Sequence, residues 1–559
     1  MKVRTPFLHV ALVVCLLQPD PAAQQAAITT QDMARRIDAV FAPWDNTHSP
    51  GCAIGVSRNG VILHSRGYGM SNLDYDIPIG PDSIFDVGQI AMQFTALSIG
   101  LLMREGRLSP NDDVRKYLPE LPAYPQTITV RHLLTHTSGL PDALNLLDLA
   151  GGGEYAITEN DVLRMISRQR ALDFVPGAES FYNYGGYILL ASIVKRVSGQ
   201  SQAEFAKARI FTPLGMNDTH FIDDHTLLLK RRTSAYRQRQ GGGWKVSLPL
   251  SDIVGTEGLY TTVGDLAKWE QNFVDASVGG RDLLDEMQKP ARLNDGTETD
   301  FGFGLGLGTY RGLRTIAHGG HAAGYLASLV RFPDQHLVIA LLCNHRSINT
   351  ATLASRVADI ALEPGLLGPV ESLAPAVPAA RAELATLAGT YWNPLKGVLQ
   401  LSLNDGRLLQ GNSELVPLGN GRFRAGTQPG VLFFPTPKTG APQQIHRLDS
   451  ERAAVYSRVD VASYSATGLK VYVGNYYSRE LDETFRVEVR PDGHLAVLRR
   501  RSDAVQLTGL MRETFYAPSL GTIRFVRALS GDVAGFSVSN DYARRVSFAR
   551  LAFPTPAAK

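Results

Sequence analysis

The chain has 559 residues, of which 56 are basic and 53 acidic, so its net charge is +3. This length exceeds what one hydrophobic core supports, and about two to four domains are expected. The 44% hydrophobic and 19% charged shares are those of a folded globular protein, and the balanced charge gives no reason to expect nucleic acid or an anionic membrane as a partner.

Residues 1–27 have the form of a secretory signal peptide. A basic start is followed by an apolar run from Pro6 to Leu17, and then by small and polar residues. The run is too short to anchor the chain across a bilayer, and Val14 before Cys15 makes a poor lipidation motif. We therefore expect an exported bacterial protein, periplasmic or secreted, with no membrane span once the signal is removed.

Residues 28–365 mix strand and helix patterns. Asn59-Gly60 separates two strand-like runs and signals a hairpin. The segments FTALSIGLLMREG and GYILLASIVKRVSG have apolar residues at helical spacing and end at glycine, whereas YLASLVRFPDQHLVIALLCN reads as two strands joined through Pro333-Asp334. Strands at both ends with helices between them predict an α+β domain with one antiparallel sheet covered by helices.

Cys52 and Cys343 remain after signal removal. Each lies in a strand-like apolar run, which favours two small buried side chains. A disulfide would require Cα atoms within about 7 Å, and the sequence leaves this open. Cysteines and histidines show no metal-ligand spacing, so we expect no metal and no cofactor.

The C-terminal part consists of short strands and turns. A Pro- and Ala-rich stretch, 366–383, is typical of a linker. Two similar units follow, 384–460 and 465–555, each with a Tyr-rich first strand and a later DGRL or DGHL turn. We predict two small antiparallel β-barrels, because closure removes exposed sheet edges. One continuous β-domain is the alternative.

Five ordered motifs carry a family resemblance. RHLLTHTSGLPD, PLGMNDTHF, GLYTTVGDLAKW, FGFGLGLGTY and HGGHAAGY together resemble the serine β-lactamase and penicillin-binding-protein family, on the side of class C β-lactamases, esterases and D-aminopeptidases, and the resemblance covers about 330 residues. The resemblance implies a β-lactamase-like antiparallel sheet with a helical cluster. The two β-units resemble the three-domain arrangement of the D-aminopeptidases.

The first catalytic motif of that family is absent. Members carry S-x-x-K, in which the serine attacks a carbonyl and the lysine helps to remove its proton. Here the stretch is QIAMQFTA, and its QFTA end fixes the register. Gln89 therefore replaces the serine and Met92 the lysine. A glutamine amide is not a competent nucleophile, and a thioether has no proton to exchange.

The second and third motifs imply the remaining site residues. In YNYGGY, Tyr182 matches the family's tyrosine and Tyr184 replaces its asparagine, whereas His318-Gly319-Gly320 keeps the third motif. The resemblance also implies backbone oxyanion donors at residue 89 and His321, a hole that would survive loss of the serine. We assign proton handling to two residues and ligand contacts to six: Tyr182 and His318, then Gln89, Met92, Tyr184, Gly320, His321 and Glu257.

Two other motifs could hold a displaced nucleophile, and a third repeats the family's Lys-Thr-Gly motif. Ser192 and Lys195 form a literal S-x-x-K inside the second predicted helix. Ser83 precedes the first predicted helix, but no lysine follows it at the spacing of the motif. Lys438-Thr439-Gly440 is a literal Lys-Thr-Gly in the first β-unit. We interpret all three as structural. The alternative is a displaced serine for the first two and, for the third, a loop of the β-unit that reaches the pocket, as the resemblance to the D-aminopeptidases implies.

Two hypotheses for function follow. The first is a pseudoenzyme that binds a peptide, a peptidoglycan fragment, or a small amide or ester in the inherited cleft. The second is a repurposed enzyme that performs non-covalent acid–base chemistry, such as isomerisation, elimination or water-mediated hydrolysis, with Tyr182, His318 and a backbone oxyanion hole. The oligomeric state is not given by the sequence.

Overall fold

The computed structural model describes residues 29–152, 156–362, 376–425, 431–435, 441–448, 453–500 and 503–552. The predicted signal peptide, most of the predicted linker and the Lys-Thr-Gly at 438–440 lie outside these residues. Across the described ranges, every helix is too short or too polar to cross a membrane.

The main domain, residues 29–362, is built on a six-stranded antiparallel sheet in the order β12-β13-β14-β15-β1-β2. The strands come from both ends of the domain, as predicted, and the Asn59-Gly60 turn has φ of 51° and 76°, which suits a tight hairpin. The strands are β1 (Cys52–Arg58), β2 (Val61–Tyr68), β3 (Met70–Asn72), β4 (Ile77–Pro78), β5 (Phe85–Asp86), β6 (Ile157–Thr158), β7 (His220–Phe221), β8 (Tyr236–Gln238), β9 (Trp244–Val246), β10 (Ser251–Asp252), β11 (Leu259–Thr261), β12 (Gly306–Tyr310), β13 (Leu313–Ala322), β14 (Tyr325–Phe332) and β15 (Leu337–Cys343).

Helices cover both faces of this sheet. The helices are α1 (Thr30–Phe41), α2 (Ala91–Arg104), α3 (Val130–Leu134), α4 (Ala143–Leu149), α5 (Glu159–Ser167), α6 (Tyr184–Ser198), α7 (Gln202–Ala206), α8 (Val263–Asp275), α9 (Arg281–Met287) and α10 (Thr350–Ala361). α1 and α10 bury one face of the sheet. α8 lies on the other face, where it packs with the largely buried α2 and α6. Gly55 permits this approach, because a Cβ there would lie 2.9 Å from Val263.

A disulfide joins the first and last strands of the main domain. Cys52 and Cys343 are direct partners across β1 and β15, with Cα atoms 4.0 Å apart, and they form an S–S bond. Both residues are fully buried. This pairing is the possibility that the sequence left open, and it joins residues 291 positions apart.

Two closed antiparallel barrels follow, each of eight strands, as predicted. The first contains β16 (Gly389–Asn393), β17 (Gly397–Asn404), β18 (Arg407–Gln410), β19 (Ser413–Gly419), β20 (Arg422–Ala425), β21 (Val431–Phe433), β22 (Gln444–Leu448) and β23 (Ala453–Val459). The second contains β24 (Gly474–Ser478), β25 (Glu483–Val489), β26 (Leu495–Leu498), β27 (Val505–Met511), β28 (Thr514–Ala517), β29 (Gly521–Arg527), β30 (Val533–Ser539) and β31 (Val546–Arg550).

A short helix precedes each barrel, and the first corrects the predicted linker boundary. α11 (Arg381–Leu387) begins inside the predicted linker, and α12 (Ala466–Leu469) leads into the second barrel. Leu384 and Leu387 of α11 are buried in the core of the first barrel. The helix therefore overlaps the last three residues of the predicted linker, and both leucines lie within the predicted first β-unit, 384–460.

The second barrel packs directly on the main domain. Leu146 and Leu149 of α4 are part of its hydrophobic core. Arg544 lies between the two units: its side chain binds both carboxylate oxygens of Glu179, at 2.9 and 3.3 Å, and its backbone N–H donates to Asp173. The segment around Arg544 is thereby held beside the cleft.

Candidate functional site

The start of α2 lies against β13. Gly88–Ile90 form a short 3-10 turn that leads into α2. A Cβ on Gly88 would lie 2.4 Å from the backbone nitrogen of His321, and one on Gly320 would lie 1.8 Å from the carbonyl oxygen of Val87. Gly88 also has a φ of 52°, where glycine is favoured. Both glycines are therefore required for the close contact that brings residue 89 to the sheet edge.

Gln89 is hydrogen bonded to the main chain of β13. The backbone N–H of His321 donates to Gln89 Oε1 at 2.9 Å, and Gln89 Nε2 donates to the carbonyl oxygen of His321 at 3.2 Å. The Gln89 residue is buried, with 4% of its surface exposed. The expectation of an open backbone oxyanion hole is therefore wrong at His321, because its N–H already has an acceptor from within the chain.

Tyr182 connects two of the other positions of the site. Its hydroxyl lies 3.3 Å from Met92 Sδ and 3.4 Å from His318 Nε2. His318 Nδ1 lies 2.6 Å from the carbonyl oxygen of Gly319 and donates to it, which leaves Nε2 as the acceptor. The structure thus brings Tyr182, His318 and Met92 together, with the single hydroxyl proton of Tyr182 between the thioether sulfur of Met92, a weak acceptor, and the imidazole nitrogen of His318.

Burial keeps these groups uncharged. Burial lowers the pKa of His318 to about 4, and the hydrogen bond to Gly319 offsets only part of this shift. Burial also raises the pKa of Tyr182 well above 10, with nearby Tyr184 adding to it. At neutral pH the imidazole is therefore a poor base and the phenol a poor acid, so proton transfer between them is disfavoured.

Aromatic rings surround Tyr182. His136 stacks on it with ring centroids 4.5 Å apart, and Phe301 meets it edge-on at 5.6 Å. Burial lowers the pKa of His136 to about 3, with His318 contributing. Sequence analysis missed the contact of His136 with the site. Its Nδ1 accepts a hydrogen bond from the backbone of Asn183, which fixes its ring.

Tyr184 stands at the N-terminus of α6. Asn183 caps this helix, and buried Asp142 accepts the backbone N–H of Tyr184 at 2.6 Å. The Tyr184 ring lies 6.2 Å from that of His321 and 6.1 Å from that of Tyr542 in the second barrel. Sequence reasoning missed Tyr542, since nothing in the chain order places a barrel loop beside this helix.

Glu257 lines a neighbouring cavity of about 100 Å³ that also includes Asp86, Arg232 and Tyr260. It accepts a hydrogen bond from Ser251 at 2.9 Å. Burial raises the pKa of Glu257 and raises that of Asp86 to about 7, and the hydrogen bond from Gly88 partly offsets the latter. Asp86 thus supports the turn that carries Gln89, a role that sequence analysis did not identify.

The alternative nucleophiles have structural partners. Ser192 donates to a carbonyl one helical turn earlier in α6, and Lys195 forms an exposed ion pair with Glu159. Ser83 accepts the backbone N–H of Gly80 in a turn. These contacts give Ser192, Lys195 and Ser83 structural roles.

One group of side chains in the described residues has ligand atoms close enough to hold a metal ion. Asp224, His225 and Asp252 have such atoms within 4.8 Å of one another. His225 already pairs with Asp252 at 2.8 Å, so this contact requires no ion.

Comparisons with known proteins agree with this fold. A family model described as Beta-lactamase matches residues 29–362. The chain is 28% identical over 333 residues to penicillin-binding protein 4* of Bacillus subtilis, covering 56% of this chain and 72% of that protein. It is 26% identical over 320 residues to a D-aminopeptidase of Gluconobacter oxydans, covering 56% of this chain and 60% of that protein.

A solved structure extends the likeness beyond the main domain. The octameric penicillin-binding-protein homologue of Pyrococcus abyssi matches 85% of this chain and 99% of its own, with a TM-score of 0.55 and 22% identity. At this identity the likeness shows the fold alone. Because the family model covers more than half of the 559 residues, the chain belongs to the beta-lactamase family, which includes penicillin-binding proteins.

Proposed function

We propose that this protein is a non-catalytic member of its family that binds a peptide, a peptidoglycan fragment, or a small amide or ester reversibly in the inherited cleft. The observation that carries the proposal is the Gln89 carboxamide, which is bonded to both main-chain groups of His321 at the position where the family resemblance predicts the nucleophile. Acyl transfer needs a nucleophile and a base that act as a unit, and the described site has neither.

The accessible edge of the cleft supports a binding role. β13 extends past its last pairing with β12, which joins Gly306 to Ala317. Gly319, beyond that point, is exposed, and the half-buried Tyr184 has its ring beside His321 of the same strand. A ligand with amide groups can bond to such a strand edge and pack on the tyrosine ring, without entering the position held by Gln89.

Export fits the same proposal. A disulfide persists in oxidising compartments, and the Cys52–Cys343 bond agrees with the predicted signal peptide. We infer a periplasmic or secreted location, where peptidoglycan fragments and peptides are available as ligands.

The test uses covalent and reversible readouts on the same protein. Incubation with a fluorescent penicillin and with a fluorophosphonate should give no mass adduct, and an adduct would overturn the proposal. Calorimetry with penicillin G and with a D-alanyl-D-alanine peptide should show reversible binding that Tyr184→Ala weakens. Absence of binding by both probes would contradict the binding role.

The second candidate is the repurposed enzyme, and the contact between Tyr182 and His318 favours it. This pair could move a proton if a ligand changed its environment. A screen of small amides, lactones and enolisable acids tests the idea. Turnover abolished by Tyr182→Phe would establish this alternative, and turnover that survived the change would remove Tyr182 from the mechanism.

A further inference from the structure

A second cavity, of about 510 Å³, lies on the main domain away from the cleft. Its walls come from the second half of α8, from α9 and from the sheet, and they include Arg314 of β13. Arg314 precedes His318 by four residues, about 13 Å along an extended strand. The volume is within the range of small-molecule sites in proteins, about 300–1,000 Å³.

Two arginines of the sheet, Arg314 and Arg331, lie on the same face of it. Ile316 pairs with Arg331, which pairs in turn with Val338. Residues paired across strands share a face, and so do residues two apart on one strand. Arg314, two positions before Ile316, is therefore on the same side as Arg331, and both line the cavity.

Arg331 forms part of the cavity's inner wall. Its side chain is 7% exposed and pairs with the buried Glu270 at 2.8 Å. The guanidinium lies 4.0 Å from the ring centroid of Phe273 and donates to Gln288. Glu270 balances the charge of Arg331, so this wall is polar and aromatic with no excess charge.

The remaining charged groups are mostly positive. Apart from the Arg331–Glu270 pair, the cavity has Arg281, Lys289 and Arg314 against one carboxylate, Asp285. Lys289 pairs with Glu286 outside the lining at 3.1 Å, and Arg281 is 3.9 Å from Asp285. Arg314 is exposed and, among the described residues, has no ion-pair partner.

We propose that this cavity binds an organic anion, a phosphate ester or carboxylate whose charged group pairs with Arg314 and whose apolar part lies against Val274. The unpaired guanidinium supplies two parallel donors that match either anion. Val274 lines the same cavity and is 43% exposed, which provides apolar surface for the rest of the ligand. The site is independent of the cleft and of the proposed function there.

Calorimetry with three probes tests the proposal: phenyl phosphate, inorganic phosphate and phenol. Phenyl phosphate should bind more tightly than either of the others, because only it has both the anion and the ring. Arg314→Gln should weaken it at least tenfold, because the charge-assisted hydrogen bonds to the anion are lost. Arg314 is exposed, so this variant should fold.

Two matched variants serve as controls for this experiment. Arg36→Gln removes an exposed arginine from α1, and Tyr184→Ala alters the cleft; both should leave the affinity for phenyl phosphate unchanged. The proposal is overturned if the wild-type protein fails to bind phenyl phosphate at millimolar concentration, or if Arg314→Gln binds as tightly as wild type. If Arg36→Gln weakened phenyl phosphate binding as much as Arg314→Gln, the attraction would be non-specific. If inorganic phosphate bound as tightly as phenyl phosphate, the proposed contact of the ligand's apolar part with Val274 would be wrong.

Discussion

Gln89 and His321 form a two-point hydrogen-bonded pair between a side chain and a strand edge, with distances of 2.9 and 3.2 Å. The carboxamide of glutamine offers an acceptor and a donor, as a peptide unit does. Gln89 therefore bonds to β13 as a short piece of peptide would. The position that the family resemblance assigns to the nucleophile is occupied here by the protein's own amide.

Gln89→Ala should reduce stability. The change removes both hydrogen bonds and leaves a buried main-chain donor and acceptor on His321, so we expect the free energy of unfolding to fall by about 1–3 kcal/mol. Urea denaturation measures the change. Gln126→Ala, at an exposed position, is the control and should change stability by less than about 0.5 kcal/mol. Equal effects of the two variants would contradict a structural role for the pair.

Restoring the family's residues should restore covalent chemistry only in combination. Gln89→Ser frees the backbone N–H of His321, but the serine lacks a base because the pKa of Tyr182 is raised well above 10 by burial. Gln89→Ser with Met92→Lys supplies both partners, and Met92 Sδ already lies 3.3 Å from the Tyr182 hydroxyl.

We therefore expect the double variant to be labelled by a fluorophosphonate, as seen by intact mass, and Gln89→Ser alone to remain unlabelled. Gln89→Ala with Met92→Lys is the matched control, because it contains the lysine without the nucleophile. If the double variant is not labelled, Tyr184 or the wider pocket has diverged as well.

The sequence predicted those parts of the fold that depend on local backbone preferences. Asn59-Gly60 marks a hairpin because both residues tolerate positive φ, and Gly199 ends α6 in the left-handed conformation, with φ of 78°. The barrels followed from repeated strand and turn patterns. The helix α11 was not predicted, because the Pro- and Ala-rich stretch before it is typical of a linker.

For the candidate site, the sequence indicates which residues to consider but not their hydrogen bonds or their contacts with the second barrel. The QFTA register predicts the nucleophile position at residue 89, and this stays a prediction. The hydrogen bonds of Gln89 to His321 depend on a tertiary contact between residues 232 positions apart. The approach of Tyr542 to Tyr184 depends on how one domain packs on another. Neither relationship leaves a periodic pattern in the sequence.

The disulfide should contribute strongly to stability. It joins residues 291 positions apart, and the chain-entropy relation gives about 6 kcal/mol for a loop of that length. We expect Cys52→Ala with Cys343→Ala to lower the unfolding midpoint substantially, measured by calorimetry. Because both cysteines are fully buried, an alkylating agent used with dithiothreitol should label the wild-type protein only above its unfolding transition. Rapid labelling of the folded protein would contradict this arrangement.

Arg544 should hold the second barrel beside the cleft. It binds Glu179 through two nitrogens and lies over Phe181, 5.2 Å from the ring centroid. Arg544→Ala should therefore lose about 2 kcal/mol of docking stability, seen as faster hydrogen exchange near residues 540–545. Arg545→Asn is the control, because the Arg545 side chain is exposed and its φ of 60° suits asparagine. Comparable exchange in both variants would argue against the role of Arg544.

His318 should make stability depend on pH. Burial lowers its pKa to about 4 in the folded protein, against about 6.5 when unfolded. Between these values the unfolded chain binds a proton that the folded chain does not, so this residue lowers stability as pH falls from 6.5 towards 4. The integrated effect is about 3 kcal/mol. Burial raises the pKa of Asp86 to about 7, so protonation of this carboxyl increases stability as pH falls, which opposes the effect of His318.

A comparison of variants separates the two contributions. Urea denaturation of His318→Asn should show a slope of stability against pH that is lower than the wild-type slope by up to one proton between pH 6.5 and 4. His48→Asn, at an exposed histidine, should keep the wild-type slope. If His318→Asn keeps it too, the folded and unfolded chains bind this proton alike, and the imidazole is protonated in the folded site below about pH 6.5. The site would then contain a cation able to bind a ligand carboxylate, and the uncharged cleft argued from burial would be wrong.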